Sequence, residues 1–255
     1  MSVLLLRLAG PLQAWGSAAR FARRSTENAP TKSGVLGLFA AAQGRPRQAD
    51  LSDLSALRFG VRIDQPGSRL RDFHTAHHAD SGKAMPLSER FYLADAIFVA
   101  GVEGDARLLQ RLYEALMRPH YLPYLGRRSC PPSQPLSMGP PQDTTLEEAL
   151  RLAEWQASRW YVRQLQRTAG QQPPAVPELL DVLLDSSPAE TPDFSLRDTP
   201  VSYDPHHRRY ALRGVRSTQV TAVHRTATAP AHDPTAGLVP APLETPATST
   251  PPRTS

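Results

Sequence analysis

Cysteine is nearly absent from this chain, since Cys130 is the only one among 255 residues. A single cysteine excludes an internal disulfide framework and any zinc site built from several thiolates. No base stands beside Cys130 in the sequence, so we expect a small buried residue rather than a nucleophile. Apolar runs of the roughly 20 residues that a membrane helix needs are also missing. The apolar start lacks the basic leading region of a signal peptide, and we expect a cytoplasmic protein without a membrane segment.

Lysine is also scarce: only Lys32 and Lys83 occur among 29 basic residues, and the rest are arginines. Residues 1–135 carry 18 Lys and Arg against 11 Asp and Glu, whereas the remaining residues carry 11 against 13. A polyanion is therefore expected to bind the first half of the chain. Arginine forks onto phosphate and stacks on bases, which favours RNA as the partner. A biased codon usage with ordinary surface ion pairs is an alternative that composition alone leaves open.

The hydrophobic pattern predicts the order strand, helix, strand, hairpin, strand, helix over residues 1–135, with one continuous strand over 90–101. This order is typical of an α+β fold, a ferredoxin-like or RRM-like sandwich. Residues 136–225 predict a smaller C-terminal β-rich part that contains a hairpin over 201–223. Residues 226–255 are rich in Pro, Ala and Thr and predict a disordered tail, because they offer almost no aliphatic core.

A basic loop near the start of the chain is the first candidate site for phosphate. Arg20, Arg23 and Arg24 flank Phe21, and Trp15 stands close by in the sequence. Loops that interleave arginines with aromatic residues can pair with phosphates and stack on bases. The alternative is that the two aromatic residues belong to the core, and for Trp15 we favour that interpretation.

Two further motifs could hold phosphate. Lys32 and Ser33 stand at the predicted start of a helix, where free amides, the helix dipole and an ammonium group attract anions. The leading glycine of a Walker A loop is absent, and a plain helix cap with a solvated lysine is the alternative. Arg127 and Arg128 follow Gly126, whose missing side chain lets the backbone approach a phosphate closely. A surface arginine pair is the alternative there.

The polar segment 76–90 predicts a protruding hairpin, because it is longer than a simple strand connection requires. Lys83 and Arg90 are candidate RNA contacts in this segment. Met85 and Leu87 are the large apolar residues of its tip, and we expect them to pack against an unstacked base or a partner surface.

His74 precedes this segment and is a further candidate RNA contact. Cleavage of RNA through its 2′-hydroxyl needs a general base, for which histidine is the usual choice. The same residue therefore leaves open a metal-independent endoribonuclease. We nevertheless predict no catalytic residue, no metal ligand, no cofactor and no small-molecule substrate.

Six segments together resemble the CasD family of the type I-E CRISPR Cascade complex, over about residues 1–223. These segments are Leu6–Gly16, Pro30–Leu38, Leu57–Asp64, Asp72–Thr75, Leu125–Pro132 and Asp198–Pro205. Their order and the Gly-Arg-Arg-Ser-Cys-Pro-Pro loop make the resemblance specific. Residues 171–192 resemble the family less clearly, and the tail does not resemble it.

The resemblance implies an RRM-like domain with a hairpin called the thumb. It also implies a non-catalytic subunit of an antiviral complex that grips the 5′ handle of CRISPR RNA. The expected protein partners are the backbone subunit CasC, whose filament this family caps, and the large subunit CasA. A protein-only scaffold, in which the arginines pair with acidic partner surfaces, is the alternative without RNA.

Overall fold

The computed structural model describes residues 1–17, 23–168, 177, 179–187, 189–204 and 206–223. Arg20 and the predicted tail lie outside these residues. None of the described helices is long and apolar enough to cross a membrane.

The elements are β1 (Ser2–Ala9), β2 (Leu12–Gln13), β3 (Arg23–Arg24), α1 (Lys32–Ala42), α2 (Ser52–Ser55), β4 (Arg58–Gln65), β5 (Ser68–His74), β6 (Ser88–Ala94), β7 (Ile97–Gly104), α3 (Ala106–Met117), α4 (Leu146–Leu152), α5 (Arg159–Thr168), β8 (Leu179–Asp185), β9 (Phe194–Ser202) and β10 (Arg209–Thr221).

A six-stranded antiparallel sheet in the order β1-β7-β4-β8-β10-β9 forms the centre of the fold. Side chains of a strand alternate between its two faces. Leu4 and Leu6 of β1 accordingly join the main core with residues of α1 and α3, whereas Val3 and Leu5 join a second core with α4. The mixed α+β class predicted from the sequence is thus confirmed. The strands after residue 135 extend the same sheet from β4, and a domain boundary at that residue stays a prediction.

The continuous strand predicted over 90–101 is wrong, because the chain forms β6 and β7 there and they lie in different sheets. Asp95 separates them with φ of 57°, in the left-handed region that Asp tolerates better than most residues. Its amide donates to the carbonyl of Pro11 at 3.1 Å, which holds the bend against the end of β1. One apolar run therefore supplies strands to both sheets.

The second sheet consists of β2 and β3 on one side of β6 and β5 on the other. β5 and β6 form a hairpin that continues beyond the sheet, through an isolated bridge between His77 and Ala84. Gly82 takes a φ of +64° at its turn. All residues over 75–87 are exposed, so the hairpin end projects from the described body of the protein.

A buried cluster of four charged side chains joins α1 to the last three strands. The Lys32 ammonium lies 2.9 Å from Asp185, and Arg213 lies 2.8 Å from Asp185 and 2.7 Å from Asp198. Asp198 also accepts the backbone amide of Lys32 at 2.8 Å. Burial lowers the pKa of Arg213, but the hydrogen bonds and negative charges of Asp198 and Asp185 together outweigh that effect and raise the pKa. The two positive and two negative groups neutralise each other where they are largely shielded from water.

Replacing Asp198 with Ala should lower the free energy of unfolding by about 3–5 kcal/mol, because it leaves Nε and Nη2 of Arg213 and the backbone amide of Lys32 buried without an acceptor. Urea denaturation followed by circular dichroism measures the change. Asp143→Ala is the control, since that side chain is 93% exposed and lies 4.0 Å from the terminal amine. Equal losses in the two variants would contradict the structural role of the cluster.

Candidate nucleic-acid interface

A cleft of about 1580 Å³ lies between α1, the 121–131 loop and the β9–β10 hairpin. The described residues that line it include no Asp or Glu. Its basic lining residues are Arg24, Arg45, Arg47, Arg127, Arg128, Arg197 and Arg208. Its aromatic lining residues are Trp15, Tyr121, Tyr124, Tyr203 and Tyr210. Arginines for phosphate and aromatic faces for bases are what binding of single-stranded nucleic acid requires.

The floor of the cleft is open because α1 presents glycines to it. Thr31 caps this helix by accepting the amide of Gly34 at 3.3 Å. A Cβ on Gly34 would lie 2.7 Å from the ring of Trp15, so this position accepts no larger side chain without a shift. A Cβ on Gly37 would meet only the hydroxyl end of Tyr203, at 3.6 Å. Trp15 is fully buried, which confirms its interpretation as a core residue.

The loop that carries Arg127 and Arg128 is fixed by its backbone. Gly126 has φ of +83°, and a Cβ there would lie 1.7 Å from the carbonyl oxygen of Ala14. The amide of Cys130 donates to the carbonyl of Arg127 at 2.9 Å and closes a turn. Cys130 is buried, which raises the pKa of its thiol. The residue is therefore part of the packing of this loop, as the sequence predicts.

Arg127 links the loop to the second sheet. Its guanidinium carbon lies 4.5 Å from the ring centroid of Tyr92 in β6, in a cation–π contact. Its Nη2 donates to the backbone carbonyl of Arg24 at 2.9 Å. Its Nη1 is buried without a hydrogen-bond partner among the described residues. The side chain is thus held in place while one of its donors is unused.

Five cleft arginines are exposed and have no carboxylate partner in the described parts of the chain: Arg24, Arg47, Arg128, Arg197 and Arg208. Arg45 differs, because it binds Asp53 through two nitrogens, and this hydrogen bond raises the pKa of Arg45. Arg197 donates weakly, at 3.5 Å, to the carbonyl of Tyr210. The unpaired guanidinium groups give the cleft its positive charge.

The predicted anion site at the start of α1 is filled by carboxylates of the protein itself. Asp198 accepts the amide of Lys32, and Asp185 holds the Lys32 ammonium, whose side chain is only 7% exposed. This burial argues against a direct phosphate contact by Lys32, and its role in RNA binding stays a prediction. Ser33 does line the cleft, and its carbonyl accepts the hydroxyl of Tyr203 at 2.5 Å.

The other predicted residues lie in the second sheet and its hairpin, outside the lining of the cleft: Arg23, His74, Lys83, Met85, Leu87 and Arg90. Arg23 lies over the ring of Phe91 at 5.3 Å and 4.0 Å from Glu89. The Nε2 atom of His74 lies 3.2 Å from a carboxylate oxygen of Asp72. Met85 and Leu87 are about half exposed. The cleft therefore unites only part of the predicted set, namely Arg24, Ser33, Arg127 and Arg128.

Sequence reasoning missed the cleft arginines at 45, 47, 197 and 208. A signal existed for the first two, since an Arg-Pro-Arg run follows the glycine that ends the α1 region. A weaker signal existed for Arg208, which lies in the turn of the predicted β9–β10 hairpin. No local pattern marks Arg197, because only the fold of β9 brings it to the cleft.

Comparisons with known proteins agree with this architecture. The family described as CRISPR-associated protein (Cas_Cas5) matches residues 3–216. The chain is similar to the CRISPR system Cascade subunit CasD of Escherichia coli (strain K12), with 38% identity over 170 residues that cover 58% of this chain and 75% of the relative. A solved structure described as a Cas protein has TM-score 0.66 and 37% identity, covering 87% of this chain and 97% of the other. A CRISPR RNA-guided surveillance complex contains a chain with TM-score 0.67 and 31% identity, covering 86% and 90%.

Proposed function

Because this chain belongs to the CasD family of CRISPR-associated Cascade subunits, we propose that its cleft binds the 5′ handle of CRISPR RNA as a non-catalytic subunit of a type I-E complex. The observation that carries this proposal is the cleft lining of seven arginines without a carboxylate among the described residues. Such a lining attracts a polyanion and repels no phosphate. The solved relative in an RNA-guided surveillance complex supports RNA as that polyanion.

Both walls of the cleft contribute to this binding. Arg127 and Arg128 stand on the loop, and Arg208 stands beside the β9–β10 hairpin. Phosphates of a single strand between them would meet guanidinium groups from two sides. Tyr124 and Tyr210 offer aromatic surfaces on which unpaired bases can stack, at a typical gain of about 1–3 kcal/mol per base.

The projecting hairpin over 75–87 is proposed to be the thumb. Its exposed Met85 and Leu87 provide an apolar surface, and Lys83 provides a positive charge at its tip. We assign this surface to the RNA and to the adjacent backbone subunit CasC, with the chain capping the CasC filament and also contacting CasA. The chain order β1, α1, β4, β7, α3 supports an RRM-like interpretation of the first half of the large sheet.

Changing Arg128 and Arg208 together to Gln should weaken binding of repeat-derived RNA to the full chain. The plot of log Kd against log salt concentration should lose about 0.7 in slope for each phosphate contact removed. Fluorescence anisotropy with labelled RNA at several salt concentrations measures both effects. Neither side chain has a carboxylate partner in the described chain, so the variant should fold normally.

The matched control removes two exposed arginines of α3, Arg107 and Arg111, which do not line the cleft. It lowers the net charge by the same amount. An equal fall in affinity and slope for both variants would show that general charge, and not the cleft, attracts the RNA. An unchanged salt slope in the cleft variant would exclude Arg128 and Arg208 from the RNA site.

Replacing residues 82–87 with a short Gly-Ser link should leave the chain folded but prevent its entry into the RNA-bound complex, because the apolar end of the hairpin is lost. Affinity purification through a tagged partner subunit measures the incorporation, and circular dichroism checks the fold. A single Lys83→Gln change is the control that keeps the apolar contact. Normal assembly with the shortened hairpin would refute the thumb assignment.

An endoribonuclease is the second candidate, favoured by one observation: the carboxylate of Asp72 holds the His74 imidazole at 3.2 Å, as an orienting group holds a general base. His74 does not line the arginine cleft. We therefore expect the full chain, incubated with repeat RNA in EDTA, to yield no cleavage product on a denaturing gel. Products that disappear with His74→Ala would instead establish the enzyme.

A further inference from the structure

The outer surface of α5 is a second concentration of positive charge, remote from the cleft. Arg159, Arg163 and Arg167 follow one another at intervals of four residues and are all exposed. Residues four apart lie on the same side of a helix, with Cα atoms about 6 Å apart along its axis. Trp160 stands next to this row and is 45% exposed. We call these four side chains the α5 face.

The inner side of α5 explains why this face points outward. Tyr161, Val162 and Leu165 pack against a small core that contains Trp155 and Leu180. The helix therefore has a fixed orientation on the sheet, and the apolar residues that hold it are not those of the α5 face. Trp160 is exposed and does not take part in this packing.

Charge on the α5 face is not compensated nearby. Residues 155–177 contain no Asp or Glu. Within the described residues, the three arginines of α5 form no ion pair. Arg151 on the neighbouring helix differs, since it is bound to Glu148 at 2.6 Å. A row of unpaired arginines beside an exposed aromatic ring is the pattern that binds single-stranded nucleic acid.

The α5 face and the cleft lie on opposite faces of the large sheet. Leu180, Val182 and Leu184 of β8 point towards the cores under α5 and α4, whereas Leu183 points towards the main core under α1. Because α1 forms the floor of the cleft, a short RNA segment in the cleft cannot also cover α5. The α5 face needs a different strand.

We propose that the α5 face binds single-stranded DNA, of the kind released when a guide RNA pairs with one strand of a duplex. This inference rests on the proposed function, which makes the chain part of an RNA-guided complex. Such pairing displaces the other strand, whose bases are unstacked and whose phosphates need cations. Arg159, Arg163 and Arg167 bind its phosphates, and Trp160 stacks on one of its bases.

The test uses the full chain saturated with repeat-derived RNA, to which fluorescently labelled oligo-dT of 20 nucleotides is added. Changing Arg163 and Arg167 to Gln should reduce oligo-dT affinity about tenfold and lower the salt slope by about 1.4, while RNA affinity stays unchanged. Gln and Arg have similar helix propensities, so α5 should be retained. Arg107→Gln with Arg111→Gln is again the control of equal charge.

Tryptophan fluorescence provides an independent readout, because Trp15 and Trp155 are buried and Trp160 is exposed. Oligo-dT should quench the emission of the chain, and Trp160→Phe should abolish that quenching. Displacement of RNA by oligo-dT, an equal affinity for duplex DNA or for single-stranded RNA, or oligo-dT binding that survives the α5 changes would each overturn the proposal. RNA binding by the Arg128 and Arg208 variant tests the cleft alone. Failure of the cleft proposal can therefore be distinguished from failure of the α5 proposal.

Discussion

The buried ion cluster at the start of α1 is the interaction on which the cleft depends. One wall and the floor come from α1 and the loop that follows α3, while the other wall comes from β9 and β10, more than 150 residues after α1 in the sequence. Lys32 and Arg213 reach the same two carboxylates from these separate parts of the chain. Separating α1 from these strands would leave buried charges uncompensated, which is costly. The cluster therefore holds the α1 side of the cleft against the β9–β10 wall.

Gly126 and Arg127 together set the position of the 121–131 loop, which lines the cleft opposite β9 and β10. The carbonyl of Ala14 occupies the space of a side chain at residue 126, and the left-handed φ excludes most other residues there. Arg127 then extends across to Tyr92, a residue of the other sheet. The buried side chain of Gln13 makes a similar connection, since its amide donates to the carbonyls of Leu8 and Ala96. The two sheets and the loop that carries Arg127 and Arg128 are therefore parts of one packed arrangement.

Features that depend on neighbouring residues could be predicted from the sequence, whereas contacts between residues far apart in the chain could not. Thr31 caps α1, and this local signal predicts where that helix begins. The bend at Asp95 was not predictable, because apolar residues stand on both sides of it and only a backbone angle marks the boundary. For a related reason, Lys32 was predicted to contact phosphate, with a solvated lysine as the alternative. Its partner Asp185 lies 153 residues away, in a region of weak resemblance, and no local pattern announces that contact.

Arginine has opposite functions in this chain, and burial decides between them. Arg62 is completely buried and donates to Asp64 and to three backbone carbonyls, one in α4 and two directly after it, so it stabilises the fold and has no donor to spare for a ligand. Arg128 and Arg208 are exposed and unpaired among the described residues, and they come from halves of the chain with opposite net charge. A sum of charges over the first half therefore indicated a polyanion partner but not where it binds. The positive potential of the cleft depends on which arginines the fold pairs with carboxylates. Only arginines without such a partner remain available to phosphate.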